Sequence, residues 1–499
     1  MLQDGGNAVD ACVAACAALG VVAPAQCGVG GDLFAIMCGP VTGGPLVINA
    51  SGRAGSAATP PLISAAGYIR MPNKGPLSVV TPGCVAGWAA ALDRFGTRGL
   101  AELLQPAIRL ATHGFPIGRG LAAGIGSARP MLNEAAQHTF VPSGRVPAAG
   151  ELLRQLELAA TLKRIASEGP RVMYEGPLGQ AIGSYLEQEG GHHTPADLVS
   201  YAPEWAPPAS VNFRDYRVCT TPPNSQGMLH LLGLSILEEL DPAAMDRIGT
   251  VHAQVEAISF ALEAARPSIA DPQFANVPLH ELLSPELAAQ GRARLSKPAV
   301  SRPLAATAGD TVYLCAADRE GMVVSMIQSL REGFGSGLMV PDTGVVLNNR
   351  ARDFGLADDD PNQIAPGKRP RHTLSPALVL RDGKPVAAYG TRGGDGQPYT
   401  MVQLGWNLLA LGMPPHAALD APRWTVEPAA AGPSAGSIAL EGRFPAETAA
   451  GLKVLGHTVS LIEDFDPNCG VASMLQFDEA RPAWIGGADP RGEGLALAF

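Results

Sequence analysis

The chain has 499 residues, of which 46% are apolar and 16% are charged, so it carries enough apolar surface for a large buried core. This composition excludes an intrinsically disordered protein, because disordered chains combine low hydrophobicity with high charge. The formal net charge of −10 and the absence of any Lys/Arg run argue against a surface that binds nucleic acid or an anionic membrane. The length predicts one large domain or about three ordinary ones.

The cysteine pattern and the amino end bear on the cellular compartment. The eight cysteines are scattered and form no C-x-x-C pair, so we interpret them as buried free thiols in a reducing compartment. No basic segment followed by an apolar core is visible, and no apolar run of about 18 residues predicts a membrane span. We therefore expect a cytoplasmic protein. A start site assigned too late is the alternative explanation for the missing signal peptide.

The first elements are a helix and a buried strand. A small-residue helix is predicted over 8–19, and a glycine-rich turn, 28–32 (GVGGD), leads into a strand over 33–38. In a dinucleotide site the turn follows a strand and has a third glycine where Leu33 stands. We therefore interpret this turn as a close backbone approach and not as a phosphate site.

The region from about 80 to 205 is predicted to be mostly helical. Amphipathic periodicity predicts helices over 85–95 and 152–165, and the segment 194–197 (TPAD) is typical of a helix start. The His-His pair at 192–193 has no third metal ligand at a useful spacing. We interpret the pair as a solvated loop and expect neither a metal nor a cofactor.

The last third is predicted to be rich in strands. A polar turn at 318–321 joins the first two of them into a hairpin. Strands are predicted over 311–317, 322–329, 344–347, 377–380 and 385–389. A helix-rich first part therefore meets a strand-rich second part.

Familiar catalytic signatures are missing: the sequence has no H-E-x-x-H motif, no G-x-S-x-G elbow and no Walker loop. One constellation remains. Thr311 opens a predicted strand, its hairpin partner ends in the segment 328–337 (QSLREGFGSG), and the segment 391–394 (TRGG) directly follows another strand. Chemistry alone does not assign a function to any of these segments, because a Thr at the start of a strand is common and a Gly-Gly pair after a strand is usually a turn.

An ordered series of partial motifs decides between these interpretations. The series consists of GGNAVDA at 5–11, GVGGD at 28–32, TPGCVAG at 81–87, PPNSQG at 222–227, FGSG at 334–337, GVVLNN at 344–349 and GKRP at 367–370. In it the chain resembles, over nearly its whole length, the gamma-glutamyltransferase (gamma-glutamyltranspeptidase) family of N-terminal-nucleophile hydrolases. The segments 309–314 (GDTVYL) and 370–373 (PRHT) resemble the bacterial branch with oxamate amidohydrolase and cephalosporin-acylase-like members.

The resemblance implies an α/β (α+β) fold, a four-layer αββα sandwich, made as an inactive precursor. It implies that the precursor cleaves itself between Asp310 and Thr311. The products are a large helix-rich segment, 1–310, and a small strand-rich segment, 311–499, which together form one integrated domain. The expected unit is a heterodimer of these segments, and a dimer of that unit stays open.

The resemblance also assigns catalytic roles. Thr311 matches the nucleophile, Ser329 a hydroxyl that hydrogen-bonds it, and Gly393 and Gly394 the backbone donors to the oxyanion. The α-amine that cleavage exposes at Thr311 has a reference pKa of about 7.7–8.0 and suits a general base. The uncut chain lacks this base, because an amide nitrogen is not basic.

Some of the substrate-binding residues that the resemblance implies match the transpeptidase pattern, and others depart from it. Arg53 matches an arginine that holds a substrate α-carboxylate, and Asp353 an acid that holds the α-ammonium. Three positions depart from the transpeptidase pattern: His372-Thr373 replace a Ser-Ser pair, Arg331 replaces an Asn and Arg350 replaces a Gln. Two additional guanidinium groups near Asp353 disfavour an ammonium and favour a carboxylate.

We therefore expect an autoprocessing threonine amidohydrolase that forms an acyl-enzyme at Thr311 and cleaves a small carboxylate-bearing amide. We expect the acyl group to pass to water more often than to an amine. The first alternative is a true gamma-glutamyltransferase or glutathione hydrolase. The second is an unprocessed, non-catalytic homologue that binds a ligand or partner.

Overall fold

Two β-sheets lie face to face at the centre of the molecule, and helices cover the outer face of each sheet. This is the four-layer αββα sandwich that the resemblance implies. The computed structural model describes residues 1–299, 309–427 and 436–498, and the elements given below belong to those residues.

The strands are β1 (Asp32–Cys38), β2 (Leu46–Ala50), β3 (Phe115–Pro116), β4 (Leu152–Leu153), β5 (Glu204–Ala206), β6 (Ala209–Phe213), β7 (Tyr216–Thr220), β8 (Asp310–Ala317), β9 (Val323–Arg331), β10 (Met339–Val340), β11 (Val345–Val346), β12 (Ala377–Arg381), β13 (Lys384–Thr391), β14 (Trp424–Val426), β15 (Ile438–Glu441), β16 (Val459–Ile462), β17 (Ala472–Asp478) and β18 (Ala483–Ala488).

The helices are α1 (Ala8–Val22), α2 (Pro60–Ala65), α3 (Cys84–Phe95), α4 (Leu100–Leu103), α5 (Gln105–His113), α6 (Arg119–Ala128), α7 (Glu134–Phe140), α8 (Leu156–Glu168), α9 (Gly176–Gln188), α10 (Pro195–Val199), α11 (Met228–Leu237), α12 (Arg247–Ala265), α13 (Leu279–Leu282), α14 (Pro285–Arg292), α15 (Gln397–Gly405), α16 (Pro415–Asp420) and α17 (Ala446–Val454).

Both sheets mix strands from before and after Thr311. The first sheet has the order β5-β2-β1-β9-β8, and the second has the order β18-β17-β13-β12-β7-β6. Neighbouring strands in both sheets are antiparallel, and the pairs β1–β9 and β7–β12 join the two parts of the chain. The expectation of a helix-rich part beside a strand-rich part is therefore incomplete, because the first part supplies strands to each sheet.

Strand alternation builds the layers. In β1 the side chains of Leu33, Ala35 and Met37 enter the core beneath the first helical layer, whereas Phe34, Ile36 and Cys38 lie between the two sheets. Leu378 and Leu380 of β12 contribute to the core between the sheets from the opposite side. Because both faces of these strands are buried, their sequence is a continuous apolar run and not an alternating one.

Several predicted elements are confirmed. The helix predicted over 8–19 runs to Val22, and the predicted hairpin forms β8 and β9. The prediction for 152–165 is wrong at its start, because Leu152–Leu153 pair with Phe115–Pro116 as β4 and the helix begins at Leu156.

The environments of the histidine pair and of the cysteines are also defined. His192 and His193 are buried and not solvated, and His192 Nδ1 accepts a hydrogen bond from the N–H of Gly55 at 3.0 Å. All eight cysteines are free thiols, seven of them buried and Cys315 partly so. None of the helices in the described ranges combines the length and apolar character that a bilayer crossing needs.

Candidate active site

Thr311 lies near the start of β8, an edge strand of the first sheet, and its exposed fraction is 2%. The ladder pairs Thr311 with Ser329 and Asp310 with Arg331 of β9. Leu330 is therefore the extra residue of a β-bulge. The bulge interrupts regular pairing at the Asp310–Thr311 peptide bond.

The Ser329 hydroxyl connects the Thr311 side chain to that peptide bond. Ser329 Oγ lies 2.9 Å from Thr311 Oγ1, donates to the Asp310 carbonyl oxygen at 2.8 Å and accepts from the N–H of Arg331 at 2.8 Å. A serine hydroxyl has one proton to donate, and here the proton points to Asp310. The Thr311 hydroxyl is consequently the donor to Ser329, which gives a proton path from Thr311 to the carbonyl that precedes it.

Gly393 and Gly394 form a turn directly after β13. Their φ angles are +133° and +56°, which a glycine adopts without steric cost. In the part of the chain that the structure describes, neither backbone N–H donates to a protein acceptor. A Cβ added to Gly309 would lie 2.6 Å from Gly394 Cα, so Gly309, two residues before Thr311, packs on this turn. Two available donors at this point suit an oxyanion.

Gln226 fixes that turn from the opposite side. Its Nε2 donates to the carbonyl oxygens of Gly394 at 3.0 Å and Thr373 at 3.1 Å. Gln226 belongs to the PPNSQG segment, which the sequence analysis used for the resemblance without giving it a role. The structure gives Gln226 a role: its buried amide group holds the Gly394 and Thr373 carbonyls in position.

A buried cluster of arginine and aspartate side chains lies beside Thr311. Arg331 Nε and Nη2 donate to the two oxygens of Asp353 at 2.7 and 2.9 Å, and Nη2 also donates to Asp395 at 2.9 Å. Arg350 Nη1 donates to Asp353 at 3.2 Å, and its Nε donates to Asp32 at 3.0 Å. The Asp353 carboxylate therefore accepts three guanidinium N–H groups.

These arginines keep the aspartates ionised inside the protein. Burial alone raises the pKa of Asp353, but the adjacent Arg331 and Arg350 outweigh burial and hold that pKa well below its usual range. Burial opposes ionisation of Asp395 as well, and the charges of Arg331 and Arg371 lower its pKa.

The cluster as a whole carries excess positive charge. Arg266 Nη2 donates to Asp395 at 3.2 Å, and Arg371 Nη2 lies 3.8 Å from the same carboxylate. In the described ranges, four arginines thus face three aspartates. The arginines are Arg266, Arg331, Arg350 and Arg371, and the aspartates are Asp32, Asp353 and Asp395.

His372 adds no charge to this cluster at neutral pH. Its Nε2 donates to Asp32 at 3.1 Å, and its Nδ1 accepts from the N–H of Leu374 at 3.3 Å. Burial, followed by the charge of Arg350, lowers the pKa of His372 to about 4. The adjacent Thr373 hydroxyl accepts from Arg350 Nη1 at 3.0 Å, so both side chains hold the cluster together.

The Arg53 side chain binds residues outside the cluster beside Thr311. Its guanidinium donates to Glu204 at 2.5 Å, to Gln273 at 3.0 Å and to the Gly367 carbonyl at 2.7 Å. Within the described residues it makes no hydrogen bond to Thr311 or Asp353. The structure therefore brings together the other predicted site residues but leaves Arg53 in a separate ion-pair group.

Two aspartates of the cluster were missed by the sequence analysis. Asp32 and Asp395 each end or follow a glycine-rich turn, GVGGD and GGD, and both turns were interpreted by their glycines alone. A buried acid at the end of a glycine turn was the available signal, because an acid seldom becomes fully buried unless it is paired.

A large groove reaches the Asp310–Thr311 peptide bond. It has a volume of about 2530 Å³, and its lining includes Asp310, Thr311, Lys74, Glu332 and Arg392. Lys74 Nζ donates to the carbonyls at positions 333 and 335, and burial lowers its pKa to about 8. The groove gives water and small substrates access to Thr311.

Known proteins match this chain from end to end. The family model described as Gamma-glutamyltranspeptidase covers residues 1–499. The glutathione hydrolase-like YwrD proenzyme of Bacillus subtilis is 38% identical, over 100% of this chain and 95% of that protein. The oxamate amidohydrolase proenzyme of Klebsiella pneumoniae is 36% identical over 100% of this chain and 95% of that protein.

A solved structure agrees with these matches. The crystal structure of cephalosporin acylase from Bacillus halodurans has a TM-score of 0.92 and 34% identity, and the match covers 100% of this chain and 92% of that one. The chain therefore belongs to the gamma-glutamyltranspeptidase family and is an enzyme of its amidohydrolase and acyltransferase class.

Proposed function

We propose that this enzyme cleaves itself between Asp310 and Thr311. We further propose that it then hydrolyses small amides whose acyl group carries a carboxylate and no α-ammonium. The observation that carries the substrate proposal is the occupation of Asp353 by the guanidinium of Arg331, at 2.7 and 2.9 Å.

The hydrogen bonds at the Asp310–Thr311 bond support the proposed self-cleavage. Thr311 Oγ1 attacks the Asp310 carbonyl carbon as its proton passes to Ser329, whose own proton moves toward the developing oxyanion. The C–N bond then breaks as the proton taken from the Thr311 hydroxyl passes on to the nitrogen, which becomes a primary amine, and an ester links Asp310 to Thr311 Oγ1. Water hydrolyses the ester, which releases the Asp310 carboxylate and leaves Thr311 with a free hydroxyl and a free amine.

The matured Thr311 supplies both nucleophile and base. Its neutral α-amine takes the hydroxyl proton as Oγ1 attacks the substrate amide, and it returns that proton to the leaving amine. The N–H groups of Gly393 and Gly394 stabilise the tetrahedral oxyanion, where loss of one donor typically costs about 3 kcal/mol. Water, activated by the same amine, hydrolyses the acyl-enzyme.

The cluster selects against an α-ammonium. An ammonium that binds Asp353 has to displace Arg331, and breaking a buried ion pair costs about 3–5 kcal/mol. A carboxylate, in contrast, meets excess positive charge. In the described residues Arg350 Nη2 is buried and has no acceptor, so it is available to a substrate carboxylate. The names of the relatives that act on oxamate and cephalosporin are consistent with this preference.

The test compares two anilides that differ only in the α-ammonium. We expect kcat/KM for glutaryl-p-nitroanilide to exceed that for gamma-glutamyl-p-nitroanilide by about 100-fold or more, the factor that corresponds to about 3 kcal/mol. Arg331→Asn should narrow this ratio by restoring access to Asp353. Arg145→Gln, which removes an exposed ion pair with Glu151, is the matched control and should leave the ratio unchanged.

The first alternative function is tested by the same assay. If gamma-glutamyl-p-nitroanilide is the better substrate and glycylglycine accelerates its turnover, the enzyme is a true gamma-glutamyltransferase and our substrate proposal is wrong. Oxamate, a very small carboxylate-bearing amide, should be hydrolysed without acceleration by an amine acceptor.

A further inference from the structure

A second group of polar side chains lies in the helical layer that covers the second sheet. His252 and Glu256 are one turn apart on α12, and His457 follows α17. Their potential ligand atoms all lie within 4.8 Å of one another. His252 and Glu256 are nearly buried, with exposed fractions of 6% and 5%. None of the three belongs to the arginine–aspartate cluster or to the groove beside Thr311.

We propose that His252, Glu256 and His457 bind a divalent transition-metal ion of the zinc type. Residues at positions i and i+4 of a helix project from the same face, which brings the imidazole of His252 beside the carboxylate of Glu256. Two imidazoles and one carboxylate are a ligand set that zinc accepts, with a fourth position left for water.

The protonation of His252 supports this assignment. Its Nε2 lies 3.1 Å from the Leu295 carbonyl oxygen, which only accepts hydrogen bonds. Nε2 therefore carries the proton, and Nδ1 directs its lone pair toward His457 Nε2 at 2.8 Å. In metal-binding histidines, the ring nitrogen that does not bind the metal commonly donates a hydrogen bond to a backbone carbonyl, as Nε2 of His252 does here.

Binding requires the three ligand atoms to rearrange, because atoms spread over as much as 4.8 Å have to approach one ion. Two nitrogens at about 2.0–2.1 Å from a tetrahedral zinc ion lie about 3.3 Å apart. The His252–His457 distance therefore has to open by about half an ångström, and the His457 proton has to move to Nδ1.

The location gives the site a structural role. His252 and Glu256 belong to 1–310, and His457 belongs to 311–499. If Asp310–Thr311 is cleaved as proposed, the ion joins two separate polypeptides; this consequence rests on the proposed function, whereas metal binding does not. The N–H of Ala299 donates to the Leu455 carbonyl at 2.7 Å, so a second contact near His457 joins the two parts of the chain.

Zinc binding is tested on protein treated with a chelator and then supplied with zinc alone. The Thr311→Ala variant is used as the background, so that failure of self-cleavage cannot be mistaken for failure of metal binding. We expect about one zinc ion per chain by elemental analysis. At 100 times the dissociation constant, zinc should raise the unfolding midpoint by about 2–3 °C for a chain of this length.

Variants assign the ligands. Glu256→Gln and His457→Gln, which keep side-chain volume, should each lose at least 10-fold in zinc affinity. His280→Gln, an exposed histidine on α13, should keep wild-type affinity. Cobalt in place of zinc should give a visible ligand-field spectrum that the His457 variant lacks. Wild-type protein that takes up no zinc, or a His457 variant with unchanged affinity, overturns the proposal and leaves the contact as a hydrogen bond between two histidines.

Discussion

Replacing His372 with Gln should reduce the loss of stability that the protein suffers in acid. The Gln amide can still donate to Asp32 from the place of Nε2, but it cannot take up a proton. In the wild type the imidazole has a pKa near 6.5 when unfolded and about 4 when folded. Between these values the unfolded chain binds a proton that the folded chain rejects, so the folded state loses stability as the pH falls from about 6.5 toward 4.

The size of the effect follows from that pKa difference. It amounts to about 2 kcal/mol at pH 5 and about 3 kcal/mol at pH 4. The unfolding entropy of a chain of 499 residues is on the order of 1 kcal/mol per kelvin, so about 2 kcal/mol corresponds to about 2 °C in the unfolding midpoint. Between pH 7 and 5 the wild type should therefore lose about 2 °C more than His372→Gln.

Thermal unfolding from pH 7 to 5 measures this difference. Both proteins carry Thr311→Ala, so that a single chain unfolds. The carboxyls of Asp32 and Asp353 do not interfere, because their pKa values lie below the ordinary value of about 3.9 and outside this window. His280→Gln is the control, since that side chain is exposed. Parallel pH profiles of the wild type and His372→Gln would refute the assignment of a neutral, buried His372.

Three further predictions concern self-cleavage and turnover. Ser329→Ala should slow self-cleavage by about 10²-fold or more, because it removes the donor to the Asp310 carbonyl, and Ser329→Thr should restore the rate. The rate is measured from the appearance of the two fragments on denaturing gels. Equal rates for the wild type and Ser329→Ala would contradict this role. Gly309→Ala should also slow self-cleavage, since the added methyl group would lie 2.6 Å from Gly394 Cα. Gly99→Ala is the control and should not slow it, because a methyl group there has no atom within 4 Å. Normal self-cleavage of the Gly309 variant would contradict the close approach of Gly309 to Gly394. In matured enzyme, kcat/KM should rise with pH through about 7.7–8.0, because the Thr311 amine must be unprotonated to act as a base, and a flat profile excludes that base.

Local patterns predicted many elements of this fold well. The small-residue helix α1 and the β8–β9 hairpin follow from periodicity and turn residues, because their signals lie within a few neighbouring residues. The interleaving of strands does not follow, since the pairing of β1 with β9 joins residues about 300 positions apart. Thr311 was located by an ordered series of family motifs and not by the chemistry of an isolated threonine.

The ionic interactions of the site were predicted only in part. The sequence indicated that Arg331 and Arg350 add positive charge near Asp353, but not that Arg331 binds that carboxylate through two hydrogen bonds. The orientation of Arg53 toward Glu204 depends on a partner 151 positions away. The His252–His457 contact, with a separation of 205 positions, was missed for the same reason: side chains that meet through tertiary packing leave no local spacing to detect.

The self-cleavage of the chain at Thr311 is the central claim, and amino-terminal sequencing of the smaller fragment tests it most directly. Freshly purified wild-type protein should separate on a denaturing gel into fragments of residues 1–310 and 311–499, and the smaller should begin Thr-Val-Tyr-Leu. Thr311→Ala should remain a single chain without amidase activity. A wild-type chain that is active while uncut, or a Thr311→Ala variant that still hydrolyses the amide, contradicts the account.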